Sequence, residues 1–462
     1  MDENAAELSN RPAGGMDMTS GSLWKKIFIF SVPLIFSQVL EVMFNMSNVA
    51  FVEKFSSYTA LGAVGSTTLL VSLFTGFLIG MGCGVNVRVA QQLGANQKEE
   101  VKKTVHTAFL LCLITGIIVS AVCISCAEIL LSLLNTKPDL IGGAVLYFRI
   151  YALGMPAMAV YNFGNAVMSA GGDTKRPLLY LCVAGIINVC LNLFFVIVCN
   201  MAEDGVALAS IIAQYISASL IMINLLRRKD SCRIRISELR IYRQAAKFIL
   251  VLGIPAGIQN AIFAVGNLFI QTGVNSFDSV MVSGNSAAAN ADTLIYNVMS
   301  AFYTACSSFM GQNMGAGNKK RMFKSYIISL TYAFAAGAVL GTLLLVLGRQ
   351  FLSLFTNEEA VIAAGMQRIK IMGFSYAVSA FMDAAIAASR GIGKSVIPTI
   401  IVIMGSCVFR VVWVYTVFAY FHTIPSLYLL YVFSWIITAA AEIAYFAYSF
   451  RRMKLNTNRI AI

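Results

Sequence analysis

Twelve long apolar runs, separated by short polar loops, organise the chain; they lie near residues 25–50, 60–87, 104–127, 144–168, 178–199 and 205–226, and again near 248–273, 286–310, 325–348, 361–388, 397–421 and 427–450. Crossing about 30 Å of hydrocarbon takes roughly 20 helical residues, and each run has that length. Inside lipid, every backbone N–H and C=O must be satisfied within the segment, so the runs predict helices. Their glycines and aromatics show no period-2 alternation, which argues against a β-barrel. A motif of eight residues occurs twice, at Ala90–Gln97 and at Gly311–Asn318, 221 positions apart. Pro33 and Pro255, and Pro177 and Pro398, repeat at nearly the same offset. The prediction is an all-α integral membrane protein with twelve transmembrane helices in two pseudo-symmetric six-helix lobes. Its expected parts are a polar tail (1–22), an N-lobe (23–226, helices 1–6), a linker (227–247), a C-lobe (248–450, helices 7–12) and a second tail (451–462).

Composition agrees with a lipid solvent: 58% of residues are hydrophobic and only 12% charged, against about 25% charged in a soluble globule. The cations sort by loop. If the N-terminus is cytoplasmic, the inside segments carry Lys25, Lys26, Lys98, Lys102, Lys103, Lys175, Arg176, the run from Arg227 to Lys247, Lys319, Lys320, Arg321, Lys324, Arg390, Lys394, Arg451, Arg452 and Lys454. The outside loops carry few cations (Lys54, Lys137, Arg349) and several acids, among them Asp139, Glu203, Asp204, Asp278, Glu358 and Glu359. This bias predicts a multi-pass protein of the cytoplasmic membrane with both termini inside. It also accounts for the net charge of +13 without nucleic acid. The first run is too long for a signal-peptide core and is read as the first span. The segment from Arg227 to Lys247, with its Arg/Ile alternation at 233–236, reads either as a headgroup-lying linker that lets the halves rock or as a passive tether. A monomer is expected, because the duplication already supplies internal symmetry.

Ten cysteines are scattered along the chain, most of them inside the apolar runs; even Cys123 and Cys126 have no partner His or Cys nearby, so they read as small packing residues. His106 reads as an interfacial polar residue. The loops at Gly171–Thr174 and Gly311–Met314 follow no strand and have no Walker lysine; they are tight turns rather than phosphate cradles. No cofactor is expected. Neither clustered carboxylates for Mg²⁺ nor a nucleophile–base set appears, which argues against an enzyme.

Ionisable residues deep in the spans are costly unless paired or wetted, so each is a functional candidate. Glu41 lies in the first span with Asn45 and Asn48 on the same helical face; Asp292 lies in the outer part of the eighth, Asp383 mid-tenth, Arg410 in the eleventh and Glu442 in the twelfth. Asp383 lies several turns from the Arg390/Lys394 loop, too far to snorkel. A carboxylate in a low-dielectric medium can carry a proton, and with neutral oxygens it can hold Na⁺. The competing reading is a buried Asp383–Arg410 pair that fixes helix register.

Several stretches, in order, resemble the multidrug and toxic compound extrusion (MATE) family over nearly the whole chain. They are Ser31–Ile35, Gly62–Gly65, Gly171–Pro177, Ile187–Asn192, Gly205–Ala209, Gly253–Gly257, Gly311–Gly317 and Arg390–Lys394. The resemblance implies two six-helix lobes that alternate access, with Na⁺ or H⁺ entering as a small, cationic, amphipathic organic substrate leaves. It places an N-lobe cation site on Asn48, Tyr147, Asn188, Asn192 and Ser210, and a C-lobe carboxylate on Asp383. A seventh-helix polar position falls near Gln259 or Asn260. Asp292 and Glu41 join the expected coupling residues; Gln38, Gln259, Asn260 and Arg410 are expected to line the substrate cleft. Many relatives carry Asp where this chain has Asn48. An amide cannot release a proton near neutral pH, so proton coupling through Asn48 is excluded. Glu53 and Ser169 depart from a frequent Gly and Arg. An alternative, a flippase for lipid-linked or glycan precursors, would favour a groove rich in Arg and Lys, and the deep spans offer little beyond Arg410.

Overall fold

The computed structural model describes residues 15–55 and 58–453, with side chains described outside residues 45–61. Twelve helices follow one another: α1 (Leu23–Phe55), α2 (Tyr58–Gly94), α3 (Lys98–Leu133), α4 (Pro138–Ala152 and Met155–Ala170), α5 (Lys175–Leu193, continued by a π-helical turn to Val198) and α6 (Glu203–Arg227). The second set is α7 (Arg243–Val274), α8 (Ser279–Gly315), α9 (Lys319–Ser353), α10 (Glu359–Gly391), α11 (Val396–Phe421, with two π-helical stretches) and α12 (Ile424–Arg452). Among the described residues ten of these are long and apolar enough to cross a membrane alone. The two segments of α4 make one further span, bent by 43°. The remaining helix, α8, has the length but carries Asn285, Asn290, Asp292 and Asn297, which lower its hydropathy.

The duplication is visible in register. Helices α2 to α6 begin at residues 58, 98, 138, 175 and 203; α8 to α12 begin at 279, 319, 359, 396 and 424, each 221 positions later. The turns repeat too. After α2, the N–H groups of Ala95, Asn96 and Gln97 donate to Gln91 O, Leu93 O and Gln92 O at 3.0, 3.1 and 3.0 Å. After α8, Ala316, Gly317 and Asn318 donate to Gln312 O, Met314 O and Asn313 O at 3.0, 3.0 and 2.9 Å. Each turn needs one left-handed residue, supplied by Asn96 (φ 55) and Gly317 (φ 71), the residue types that tolerate it. The eight-residue repeat is therefore a helix C-cap used twice.

Helix starts are capped where polar side chains allow. Asp278 accepts from Met281 N at 2.8 Å, Asn318 from Arg321 N at 3.0 Å, and Thr423 with Ser426 forms a capping box. The bend of α4 has a local cause: Pro156 has no N–H to donate, and Gly154 lies beside it. The Tyr215 hydroxyl donates to the carbonyl of Leu153 at 3.0 Å. The α10 counterparts of Gly154 and Pro156 are Ser375 and Ala377, and α10 runs through unbroken.

Two compact units result. Unit 1 comprises the described residues up to Met18 and Phe36–Ala261; unit 2 comprises Thr19–Ile35 and the residues from Ile262 onward. Helices α1 and α7 each divide between them. In unit 1, the bare backbones of α2 and α7 meet at Gly80, where a Cβ would lie 2.3 Å from Gly257 N. The linker packs into unit 1: Cys232 and Ile234 are buried, His106 Nε2 accepts from Arg235 N at 3.0 Å, and Thr107 Oγ1 accepts from Tyr242 N at 3.0 Å. The Arg/Ile alternation of the linker thus puts Ile234 inward and Arg235 outward, paired with Glu238.

Candidate functional site

A stripe of polar residues runs along α10. Arg368, Tyr376, Asp383 and Arg390 are spaced 8, 15 and 22 residues from the first, which at 100° per residue keeps them within a quarter-turn of one another. At 1.5 Å per residue the stripe is about 33 Å long, the thickness of the hydrocarbon.

At its first end lies a buried ion pair. Arg368 Nη2 bonds Asp292 Oδ2, and Nη1 bonds Asn285 Oδ1. The Tyr376 hydroxyl donates to Asp292 Oδ1, and the Tyr428 hydroxyl to Asn285 Oδ1 at 2.9 Å. The guanidinium lies 5.2 and 5.8 Å from the ring centroids of Tyr428 and Tyr431. The Arg368 side chain is 6% exposed and that of Asp292 24%. Sequence reasoning placed Asp292 among the coupling residues and passed over Arg368. The helical spacing along α10 was the signal that would have found it.

Two-thirds of the way along the stripe lies Asp383, half-buried. Among the described residues its carboxylate makes no ion pair and no hydrogen bond. Arg410 instead donates from Nε to Ser434 Oγ at 3.3 Å and stacks over Tyr431 at 4.7 Å. Glu442 of α12 is fully buried, and neither of its oxygens has a hydrogen-bond partner among the described residues.

In unit 1, Asn192 Nδ2 donates to Asn188 Oδ1 at 3.2 Å; both residues, and Ser210, are buried. Tyr147 is buried and stacks on Tyr151, with ring centroids 6.0 Å apart. Glu41 is exposed. Asn48 lies outside the residues whose side chains are described. The expected cleft residues divide between units: Gln38, Gln259 and Asn260 belong to unit 1, Arg410 to unit 2. Asn260 Nδ2 donates to Gly76 O at 3.0 Å, beside the Gly80–Gly257 approach, so its amide helps join α7 to α2. Among the described residues no cluster of His, Cys, Asp and Glu could hold a metal ion.

The MatE family model matches residues 33–194 and 255–416, once in each half. The chain is similar to the probable multidrug resistance protein YpnP of Bacillus subtilis (strain 168), with 29% identity over 78% of this chain and 80% of that one. It is also similar to the probable multidrug resistance protein YoeA of the same organism, with 25% identity over 86% and 87%. Among solved structures it shares the fold of a multidrug resistance MATE family transporter of the MOP superfamily in an outward-facing conformation, with a TM-score of 0.88 and 19% identity, covering 95% of this chain and 98% of that one.

Proposed function

The chain belongs to the MatE family, and on that premise we propose that it is a cation-driven exporter of amphipathic organic compounds in the cytoplasmic membrane. Asp383 is the coupling residue. The observation that carries the reading is its state: a carboxylate about two turns inside the C-terminal end of a membrane-spanning helix, with no ion pair and no hydrogen bond among the described residues. Holding an unpaired charge within a membrane span is costly even when it is only half-buried. A proton or Na⁺ arriving at Asp383 removes that cost, and its departure restores it. A site that gains and loses a cation at modest cost can be coupled to the movement of a second, cationic ligand.

The unit 1 oxygens of Asn188, Asn192, Tyr147 and Ser210 are neutral, so a cation held there is held by dipoles alone. That supports placing the charge-bearing step on Asp383. Both termini lie on the cytoplasmic side in this reading, and the protein works as a monomer. The test is ethidium efflux from loaded vesicles. Asp383→Asn abolishes it while membrane insertion is retained; full transport by that variant removes Asp383 from the mechanism.

A further inference from the structure

The group around Arg368 has the form of a binding site that already has an occupant. One carboxylate (Asp292), one amide oxygen (Asn285), and the rings of Tyr428 and Tyr431 converge on a single guanidinium. The Tyr376 and Tyr428 hydroxyls donate to the two acceptors, Asp292 Oδ1 and Asn285 Oδ1, and hold them in place. A carboxylate with aromatic faces is the chemistry that recognises an organic cation.

The internal repeat shows what the fold needs at this place. Shifted by 221 positions, Asn285, Arg368 and Tyr428 correspond to Val64, Tyr147 and Ala207. Those three pack together in a buried apolar cluster of unit 1. Asp292 corresponds to Val71 and Tyr376 to Met155. The same helices therefore close the same locus without any charge in one half of the molecule. Replacing a buried ion pair by apolar residues is often neutral or stabilising. Structural need alone does not explain why five positions of unit 2 are polar together.

We propose that this cage is a cation-recognition site of unit 2, and that Arg368 is its resident, tethered occupant. With the Arg368 side chain withdrawn, the cage takes a small organic cation of the guanidinium or alkylammonium type. The proposal deepens the exporter reading, on which its transport consequence rests: a cationic substrate and the Arg368 side chain compete for Asp292.

Chemical replacement tests it. Full-length wild-type protein, Arg368→Ala and Arg368→Ala/Asp292→Asn are purified in detergent, and thermal unfolding is followed with methylguanidinium at constant ionic strength. Arg368→Ala is expected to melt below the wild type and to regain stability saturably as methylguanidinium is added. The double variant should respond at least about tenfold more weakly, because the anion is gone. The absence of saturable recovery in Arg368→Ala, or equal recovery in the double variant, overturns the proposal. Should Arg368→Ala fail to accumulate, Arg368→Lys vacates part of the cage while keeping a charge. The shorter ammonium leaves the Asn285 side open, and methylguanidinium must then stabilise that variant above its effect on wild type. The readout is independent of transport. Loss of ethidium efflux by the wild type would sink the exporter reading and leave the cage standing, whereas failed recovery alongside intact efflux would do the reverse.

Discussion

Arg368 on α10 and Asp292 on α8 form an ion pair in which the arginine side chain is 6% exposed and the aspartate 24%. Breaking a buried pair from one side leaves an uncompensated charge, at about 3–5 kcal/mol. Asp292→Asn alone should therefore destabilise the protein by roughly that amount, and Arg368→Met alone by a similar amount. The double variant Asp292→Asn/Arg368→Met should lose much less than the sum. A double-mutant cycle in thermal or denaturant unfolding measures this; additive losses would mean that the two charges do not sense each other.

Gly80 sets the spacing between α2 and α7. A Cβ there would lie 2.3 Å from Gly257 N and 2.4 Å from its Cα. Backbone atoms cannot rotate away, so Gly80→Ala forces the helices apart. The expected loss is about 1–3 kcal/mol, read as lower accumulation and a lower melting temperature. Gly65 of the same helix has nothing within 4 Å of its Cβ position, and Gly65→Ala should be close to neutral.

Cys232 lies in the linker, buried against the α3–α6 core. Burial, assisted by the nearby charge of Asp230, pushes its thiol up to about 12. The thiolate is the nucleophile. A group with its pKa raised this far stays a neutral thiol as pH climbs from 7 to 9, so native Cys232 should show no rise in maleimide labelling over that range. Unfolding in detergent and urea should release it. Cys199, exposed after α5, should react in the native protein, and from the outer side of intact cells. Labelling of Cys199 only from the cytoplasmic side would invert the topology.

His106 fixes the linker to α3 through both ring nitrogens: Nε2 accepts from Arg235 N at 3.0 Å and Nδ1 meets Lys102 O at 2.7 Å. His106→Phe preserves the ring and removes the acceptor, leaving a partly buried N–H unsatisfied at about 1–3 kcal/mol. Hydrogen exchange at residues 233–236 should accelerate while the core of α3 stays protected. Unchanged exchange there would show that Ile234 and Cys232 hold the linker without the imidazole.

The architecture was legible in the sequence because lipid imposes one rule on every span. Helix count, the six-plus-six division and the repeated turns all followed from apolar run length and from the spacing of Ala90–Gln97 and Gly311–Asn318. The eighth span was read as an apolar run near 286–310, although Asn285, Asn290, Asp292 and Asn297 make it unusually polar for its length. Pairings were less accessible. Asp383 and Arg410 looked like natural partners, yet Arg410 bonds Ser434 and stacks on Tyr431. Arg368 escaped notice because it lies in the first turns of α10, where a cation reads as a snorkelling end residue. Its partner stands 76 positions away on α8, a distance that hydropathy does not report. The division of α1 and α7 between units was equally invisible, because each is one uninterrupted apolar run.

Gradient-driven counterflow in proteoliposomes tests the central claim most directly. Vesicles holding wild-type protein or Asp383→Asn are loaded with ethidium, and an Na⁺ gradient or a pH gradient is imposed. Wild type should move the dye against its own gradient under at least one of the two, and Asp383→Asn, inserted to the same level, should move it under neither. Dye movement by Asp383→Asn at the wild-type rate, or wild-type vesicles that respond to neither gradient, would contradict the account.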